Sequence, residues 1–252
     1  MTLALEVCVE CGDLQSVRHS VTNALAGGAQ RVELCRDMAA DGLTPDVRDI
    51  KAARQIFGDR RGVLAMIRPR GGDFCYNSLD IACMAQQIPL VASAGADGIV
   101  MGALKDGQID EPALDQLLAI ARDHSLSVTF HRAFDDVIDK PKALQLLIDK
   151  KVQYVLTCGA ALSTGISALD GVEDINRTIE QARGRIEIIV GGGIDCDNLP
   201  LLLAQLKGAE SSVSIHSYSG LLVAGLTSAS LVKVMAQDLH LTDSSLLLIP
   251  PH

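Results

Sequence analysis

Several apolar runs in this chain end abruptly in ionisable side chains, which are the residues that can do acid–base or anion-binding chemistry. The longest, Val63 to Ile67, leads directly into Arg68-Pro69-Arg70-Gly71-Gly72-Asp73-Phe74. Shorter runs lead into Glu6, Glu33, His131-Arg132 and His216. Ionised groups are rarely left beside a core unless they are paired or used. We therefore predict that these run ends gather around one opening.

The carboxylates and imidazoles near these run ends form a candidate catalytic set for proton transfer. Side chains of these types are the usual general acids and bases of enzymes. The set consists of Glu6, Glu33, His131, Asp135 and His216. Two other interpretations stay open: the carboxylates and arginines neutralise one another as a structural network, or the histidines are hydrogen-bonded core residues.

The arginines and a glycine triplet form a candidate anion-binding set. Arginine makes paired hydrogen bonds to carboxylate and phosphate groups, and glycine lets backbone N–H groups approach an anion closely. The set consists of Arg68, Arg70, Asp73, Arg132, Gly191, Gly192, Gly193 and Ser217. It predicts a small anionic ligand, phosphorylated compounds included, although a glycine triplet also makes an ordinary tight turn.

Two cysteines stand two residues beyond two of these carboxylates, and this spacing suggests a metal site. Cys8 follows Glu6, and Cys35 follows Glu33, at the same interval. Side chains two apart on a strand share a face, and neighbouring strands lie about 4.8 Å apart. With Cys75 they form a candidate set for a metal ion that prefers sulfur ligands. The alternative is that they are small apolar core residues, as free cysteine commonly is.

The elements that must position these residues alternate between short apolar strands and longer amphipathic helices. Strands are predicted at Leu3–Cys8, Arg31–Cys35, Gly62–Arg68, Gly98–Met101, Ser127–His131, Tyr154–Cys158, Glu187–Val190 and Ser212–His216. Helices are predicted at Asp13–Leu25, Pro45–Phe57, Leu79–Ala94, Glu111–Asp123, Lys140–Lys150, Gly171–Arg183 and Cys196–Leu206. This alternation predicts the α/β class and a single-domain (β/α)8 TIM-type barrel over residues 1–240, with 241–252 as a C-terminal tail. In such a barrel the C-terminal ends of the strands carry the functional site.

The composition and net charge of the chain argue against several kinds of binding partner and indicate a cellular compartment. The chain has 252 residues, a net charge of −9 and a pI of about 5.1, which argues against nucleic acid or an anionic membrane surface as a partner. It has no apolar run of about 18 residues and no basic, apolar leader, so we expect neither a membrane span nor a signal peptide. Seven cysteines, an odd number in a chain of this length, fit reduced thiols in the cytoplasm.

Several blocks of the sequence resemble the CutC family, often called the copper homeostasis protein family. They are Val32-Glu33-Leu34-Cys35, Asp41-Gly42-Leu43-Thr44-Pro45, the block from Ile67 to Phe74, Phe130-His131-Arg132-Ala133-Phe134-Asp135, Leu156-Thr157-Cys158-Gly159 and Gly191-Gly192-Gly193-Ile194. The likeness spans roughly Leu3 to Leu222. One departure is Cys158, where many members of the family are expected to have serine.

The resemblance implies a TIM-type barrel, a cytoplasmic location, copper(I) association and a homo-oligomer, either a dimer or a tetramer. It makes copper(I) binding in copper homeostasis the expected function. The alternative is a barrel enzyme that acts on a small anionic metabolite by acid–base chemistry at the mouth.

Overall fold

The computed structural model describes residues 3–208 and 212–246 and shows a closed barrel of eight parallel strands. Each strand pairs with its neighbours in sequence, and the eighth closes on the first. The predicted (β/α)8 barrel is therefore confirmed. The strands β1 to β8 are, in chain order, Ala4–Cys11, Arg31–Arg36, Val63–Met66, Gly98–Met101, Ser127–Phe130, Tyr154–Thr157, Glu187–Gly191 and Val213–Ser217.

Eight α-helices lie between and after these strands within the described residues. Helices α1 to α8 are Leu14–Gly27, Val47–Phe57, Ser78–Ser93, Glu111–Asp123, Lys140–Asp149, Val172–Ala182, Leu199–Leu203 and Ala229–Leu246. Short 3-10 helices occupy the loops after β2, β5 and β6, at Met38–Ala40, Arg132–Asp136 and Leu162–Thr164. These loops follow the C-terminal ends of strands, so they surround the barrel mouth.

Alternation along each strand decides which side chains face the barrel interior. In β1, Leu5 and Val7 point outward and belong to the large apolar core between strands and helices, whereas Glu6 and Cys8 point inward. A second, smaller apolar cluster fills part of the interior. It consists of Cys8, Cys35, Leu64, Met66 and Val100. The interior is thus partly polar and partly apolar, while the outer face is mostly apolar.

The N-terminal end of the barrel is closed by Arg31 at the start of β2. Its Nε lies 2.9 Å from Glu6 Oε2, and its guanidinium donates to Glu187 Oε1 at 2.8 Å and to Ser214 Oγ at 2.6 Å. The guanidinium carbon also lies 4.8 Å from the centre of the Tyr154 ring. We call Arg31 and these partners the floor of the barrel.

The last part of the chain differs from the predicted elements. The predicted helix 196–206 is reduced to the five residues of α7, because Asp195 Oδ1 accepts the backbone N–H groups of Asp197 and Asn198 at 3.0 and 2.8 Å and holds a turn instead. Helix α8 was not predicted at all. It continues to Leu246, so the helix includes the first six residues of the predicted tail, and residues 247–252 lie outside the described residues.

Candidate functional site

Two thiols from neighbouring strands meet inside the barrel near the C-terminal ends of β1 and β2. In the register of these strands Cys8 is paired with Glu33, and Glu10 with Cys35, so the two cysteines are offset by one inward-facing position. Their sulfur atoms and one carboxylate oxygen of Glu33 lie within 4.8 Å of one another, and all three residues are buried. The structure therefore brings Cys8 and Cys35 together, as their spacing predicts.

A thioether lies beside these thiols. The short helix after β2 places Met38 Sδ 4.0 Å from Cys8 Sγ. Glu10 holds this segment, since its Oε1 accepts from the Met38 N–H at 3.2 Å and its Oε2 accepts from the Tyr218 hydroxyl at 2.9 Å. Sequence reasoning missed Met38 because it does not end an apolar run; its position three residues after Cys35 was the available signal. We call Cys8, Glu33, Cys35 and Met38 the thiol cluster.

A chain of charged groups connects the barrel floor to the thiol cluster. Glu6 Oε2 lies 2.9 Å from Arg31 Nε, and Glu6 Oε1 lies 2.9 Å from His216 Nδ1. His216 Nε2 lies 3.5 Å from Glu33 Oε2. Burial acts to raise the pKa of Glu6, but Arg31 and His216 outweigh it and the pKa is lowered. Burial raises the pKa of Glu33 well above its usual range, against the opposite effect of His216.

These neighbours give the two thiols different protonation states. A hydrogen bond from Cys35, together with one from His216, lowers the pKa of Cys8 to about 6 in spite of its burial. The same hydrogen bond to Cys8, together with burial, raises the pKa of Cys35 well above its usual value. Burial acts to lower the pKa of His216, but Glu33, Cys8 and Glu6 raise it well above 6.5. These shifts favour the thiolate form of Cys8 and the protonated imidazole of His216.

A cavity of about 180 Å³ extends from the thiol cluster toward the barrel mouth. Its walls carry Arg68, His131 and Arg132 from the loops after β3 and β5, with His216 near the floor. Together with Cys8, Glu33 and Cys35, these are the predicted site residues that the structure gathers around one space. The remaining walls are largely apolar.

His131 lies at the end of β5 with its ring orientation fixed. Its Nδ1 accepts the backbone N–H of Ala133 at 3.1 Å and so caps the following 3-10 helix. A Cβ atom at Gly102 would lie 2.6 Å from Cε1 of the ring, so the imidazole requires glycine at that position. Burial, together with the charge of Arg68, lowers the pKa of His131 to about 3. The imidazole is therefore neutral in the folded protein.

Asp135 is buried, but its oxygens are already engaged. It accepts hydrogen bonds from Arg132 Nε at 2.9 Å and from the Cys158 N–H at 3.0 Å, and it also bonds the Thr157 hydroxyl. Arg132 in turn donates to Cys158 Sγ at 2.6 Å. Asp135 therefore positions Arg132 at the cavity wall and does not line the cavity itself. Its role in proton transfer stays a prediction.

Three predicted residues of the loop after β3 point away from the cavity. Arg70 donates to Asp80 and Asp73, each at 3.1 Å, and to the carbonyl of Cys75 at 2.7 Å. Cys75 is exposed and lines a separate surface depression that also contains Tyr76. Arg70 and Asp73 thus stabilise the loop through hydrogen bonds, and Cys75 lies outside the thiol cluster. The anion-binding roles of Arg70 and Asp73 and the metal-binding role of Cys75 stay predictions.

The glycine triplet 191–193 and Ser217 are also absent from the cavity wall. A Cβ atom at Gly191 would lie 3.1 Å from the Cβ of His216, so this glycine permits the close approach of β7 and β8. Ser217 Oγ donates to the carbonyl of Ile194 at 2.6 Å and is buried. Gly191 ends β7 and Ser217 ends β8, and neither they nor Gly192 and Gly193 line the cavity. The anion-binding role of these four residues stays a prediction.

Comparison with known proteins identifies the family. The model of the CutC family matches residues 3–217. The chain belongs to the CutC family. A relative in Homo sapiens, the copper homeostasis protein cutC homolog, is 42% identical over 214 residues, which cover 84% of this chain and 73% of the human protein. A CutC family protein of Aliivibrio fischeri is 39% identical over 199 residues, which cover 79% of this chain and 76% of that protein.

Solved structures show the same relationship. CutC from Streptococcus agalactiae matches this CutC-family chain with a TM-score of 0.73 and 30% identity, over 86% of this chain and 99% of that one. Phosphoribosyl anthranilate isomerase from Thermotoga maritima has a TM-score of 0.62 but is only 11% identical, which shows a shared barrel fold alone. Among the residues that the structure describes, no helix is long and apolar enough to span a membrane.

Proposed function

We propose that this CutC-family protein binds one copper(I) ion inside the barrel through Cys8, Cys35 and Met38, and that it serves copper homeostasis. The observation that carries the proposal is the thiol cluster, in which two buried thiols from adjacent strands adjoin a thioether. Copper(I) selects thiolate and thioether ligands over oxygen. The human and mouse relatives are named copper homeostasis proteins, which supports the same assignment.

The dimensions and charge of the cluster fit the ion. A metal–thiolate bond is about 2.3 Å long, so two sulfur atoms separated by no more than 4.8 Å can hold one ion between them. The pKa of Cys8 is lowered to about 6, which favours the thiolate form that binds a metal. Cys35 must lose its proton when the metal binds, and the binding is then coupled to proton release.

The third sulfur distinguishes copper(I) from zinc. Structural zinc sites are closed tetrahedra of cysteine, histidine and carboxylate ligands. Here the two nitrogens of His216 face Glu6 and Glu33, so the imidazole is already paired. Met38 supplies a thioether, which is a ligand for copper(I) and a poor one for zinc. The arrangement therefore favours copper(I).

The geometry gives less support to the alternative, an acid–base enzyme acting on a phosphorylated metabolite. Two of the five predicted acid–base residues, Glu6 and Asp135, are each held by an arginine at 2.9 Å. The glycine triplet that would hold a phosphate group does not line the cavity. Copper(I) binding is thus the function that the site supports best.

Serine substitutions test the copper(I) proposal. The wild-type protein is expected to bind one copper(I) ion per chain under anaerobic, reducing conditions, measured by competition with a chromophoric copper(I) chelator. The double variant Cys8→Ser/Cys35→Ser is expected to lose this ion, because only Met38 of the proposed ligands remains. Circular dichroism of the double variant establishes that the barrel is still folded.

Cys75→Ser and Cys158→Ser are the matched controls, since each removes a thiol that lies outside the thiol cluster. Both are expected to bind one ion with an affinity close to that of the wild type. Retention of the ion by the folded double variant, or its loss in Cys158→Ser alone, would show that the ligands are wrongly assigned.

We also propose that the protein is a cytoplasmic homo-oligomer. All seven cysteines are free thiols, which suits a reducing compartment. The oligomer is proposed from the family resemblance. Large apolar side chains exposed at scattered positions on the described surface do not decide it, since monomers expose such side chains too. They include Leu79, Leu90, Ile138, Leu201 and Val223. Light scattering coupled to size-exclusion chromatography is expected to give the mass of a dimer or tetramer, and a monomer would contradict the proposal.

A further inference from the structure

The loop that carries Met38, between β2 and α2, has its two ends fixed to each other and a strained backbone between them. Arg36 and Leu43 pair through their backbones in both directions, with N···O distances of 2.8 and 2.5 Å. Between them Asp37 and Asp41 are left-handed, with φ of 54° and 60°, a conformation that is unfavourable for residues with a side chain. Such a backbone persists only where the surroundings hold it. We call residues 37–42 the Met38 loop.

Two side chains from either side of β2 hold the Met38 loop, one at each arm. On the arm that returns toward α2, Arg68 donates to the carbonyl oxygens of Ala40 and Gly42 at 2.5 and 3.2 Å. On the arm that leaves β2, Glu10 Oε1 accepts the backbone N–H of Met38 at 3.2 Å. Because Met38 carries the sulfur, the contact with Glu10 is the one that bears on the thiol cluster.

The hydrogen bond from Met38 to Glu10 replaces a local helix cap. Met38 begins the short 3-10 helix of the loop, and the first N–H groups of a helix have no partner inside it. The residue before the helix usually supplies the acceptor, but the side chain of Asp37 makes no capping hydrogen bond. The carboxylate of Glu10, at the end of β1, therefore caps a helix that belongs to the loop after β2.

Glu10 is placed for this contact by the alternation of side chains along β1. Cys8 and Glu10 lie on one face of the strand, and the register pairs Glu10 with Cys35. The second oxygen of Glu10, Oε2, accepts from the Tyr218 hydroxyl at 2.9 Å. Tyr218 and Met38 both pack on the small apolar cluster that contains the two thiols. Glu10 therefore joins the loops after β2 and β8 beside the thiol cluster.

The position of the Met38 loop decides where its sulfur atom lies. Met38 Sδ is 4.0 Å from Cys8 Sγ. A Cβ atom at Gly42, on the other arm, would lie 3.3 Å from Cys35 Sγ and 3.6 Å from Met38 Sδ. The loop thus packs directly on both thiols. The thioether stays near them only while the loop keeps this position.

We propose that Glu10 is the positioning residue of the copper(I) site, and that it raises the affinity for the ion by holding the Met38 sulfur against the two thiols. The inference rests on the proposed function and adds a residue that is not itself a ligand. Both oxygens of Glu10 are engaged by Met38 and Tyr218, so Glu10 acts through the thioether. Loss of a group that orients a metal ligand typically lowers metal affinity by about 10–100-fold.

Copper(I) affinities of single and double variants test this role by competition with a chromophoric chelator. Glu10→Ala is expected to bind copper(I) about 10–100-fold more weakly than the wild type. Met38→Leu is expected to show at least as large a loss. The double variant Glu10→Ala/Met38→Leu is expected to bind no more weakly than Met38→Leu, because Glu10 then has no thioether to position. Such non-additivity is characteristic of residues that act through one another.

Two further variants separate positioning from charge and from unspecific effects. Glu10→Gln keeps the length of the side chain and a carbonyl oxygen for the Met38 N–H, so it is expected to bind copper(I) with an affinity close to that of the wild type. An effect of the negative charge on the cation would instead make Glu10→Gln as weak as Glu10→Ala. Glu173→Ala is the matched control, since it removes an exposed carboxylate of α6 that pairs with Arg177, and it is expected to bind copper(I) as the wild type does.

Alkylation of the copper-free, reduced protein gives a readout that needs no metal. Cys8 is 2% exposed and Met38 contacts it, so iodoacetamide reaches this thiol when the Met38 loop moves away. Mass spectrometry of the peptide that contains Cys8 is expected to show faster modification in Glu10→Ala than in the wild type, and the wild-type rate in Glu10→Gln. Circular dichroism establishes that both variants are folded.

The results distinguish this inference from the copper(I) proposal on which it rests. If the wild type binds no copper(I), the proposed function fails and the inference fails with it. If the wild type binds the ion, three results would overturn the inference alone. They are wild-type affinity or an unchanged Cys8 alkylation rate in folded Glu10→Ala, an equal loss in Glu10→Gln, or a full effect of Glu10→Ala in the Met38→Leu background.

Discussion

Cys8 and Cys35 lie in the same buried cluster, yet their pKa values are shifted in opposite directions. The difference has a local cause: interaction with Cys35 and His216 lowers the pKa of Cys8, whereas interaction with Cys8, together with burial, raises the pKa of Cys35. A thiolate held beside a thiol is prepared for a soft cation, because only one further proton has to leave on binding. Apparent copper(I) affinity is therefore expected to rise with pH.

His131 gives a prediction at the same scale for the pH dependence of stability. Its pKa is about 3 in the folded protein and about 6.5 in an unfolded chain. Between these values the unfolded state binds more protons, so this residue's contribution to the free energy of unfolding falls as the pH falls from about 6.5 to about 3. His131→Asn should therefore lose less stability on acidification, by up to about 1.4 kcal/mol for each pH unit in that window.

Urea unfolding of both proteins at several pH values between about 4.5 and 7.5 measures this difference. All other titratable groups are shared by the two proteins, so their contributions cancel to first order. A free-energy difference that does not change with pH would show that His131 is not held neutral by its burial.

At the scale of secondary-structure elements, helices α1 and α8 pack closely against each other. A Cβ atom at Gly27 would lie 2.5 Å from the Cβ of Val232 and 2.8 Å from the carbonyl oxygen of Ala229. The two helices therefore meet at a glycine on α1, and this contact fixes the last helix beside the first strand. A side chain at position 27 has to push α8 away.

Gly27→Ala is expected to destabilise the protein by about 1–3 kcal/mol, as overpacking of a close contact does. Gly12→Ala is the matched control, because a Cβ atom there meets nothing within 4 Å, and its effect should stay within about 0.5 kcal/mol. Thermal unfolding of both variants measures the contrast. Equal stabilities would mean that α8 does not pack on α1 as described.

The elements also show which features the sequence alone could predict. Side chains two residues apart on a strand lie on the same face. This pattern depends only on neighbouring residues, so the sequence alone predicted that Cys8 and Cys35 face the barrel interior. Met38 and the turn at Asp195 depend on hydrogen bonds between loops, which leave no periodic pattern. Gly191 was predicted to bind an anion. In the structure a side chain at this position would crowd His216 on the neighbouring strand, and this contact cannot be predicted before the strand pairing is known.

For the whole molecule, Arg31 joins strands β1, β2, β7 and β8 at the closed end of the barrel. It contacts Glu6, Glu187 and Ser214 through its guanidinium. Glu6 in turn reaches His216, so the floor of the barrel and the thiol cluster belong to one charge network. Loss of Arg31 would leave the buried carboxylate of Glu6 with the imidazole as its remaining charged partner.

Arg31→Met is expected to lower the free energy of unfolding by about 3–5 kcal/mol, the usual effect of breaking a buried ion pair on one side. Arg177→Met removes an exposed arginine that pairs with Glu173 and Asp174, and its effect should stay below about 1 kcal/mol. Urea unfolding compares the two. Similar effects for both variants would contradict the structural role of Arg31 at the closed end of the barrel.

X-ray absorption at the copper edge of the copper(I)-loaded protein is the most direct test of the metal site. Copper bound by the thiol cluster should show a shell of sulfur neighbours at about 2.3 Å, a typical metal–thiolate distance, and this shell should lose one member in Met38→Leu. A shell of nitrogen or oxygen neighbours, or a sulfur shell that persists unchanged in Cys8→Ser/Cys35→Ser, would place the ion elsewhere and contradict the assignment.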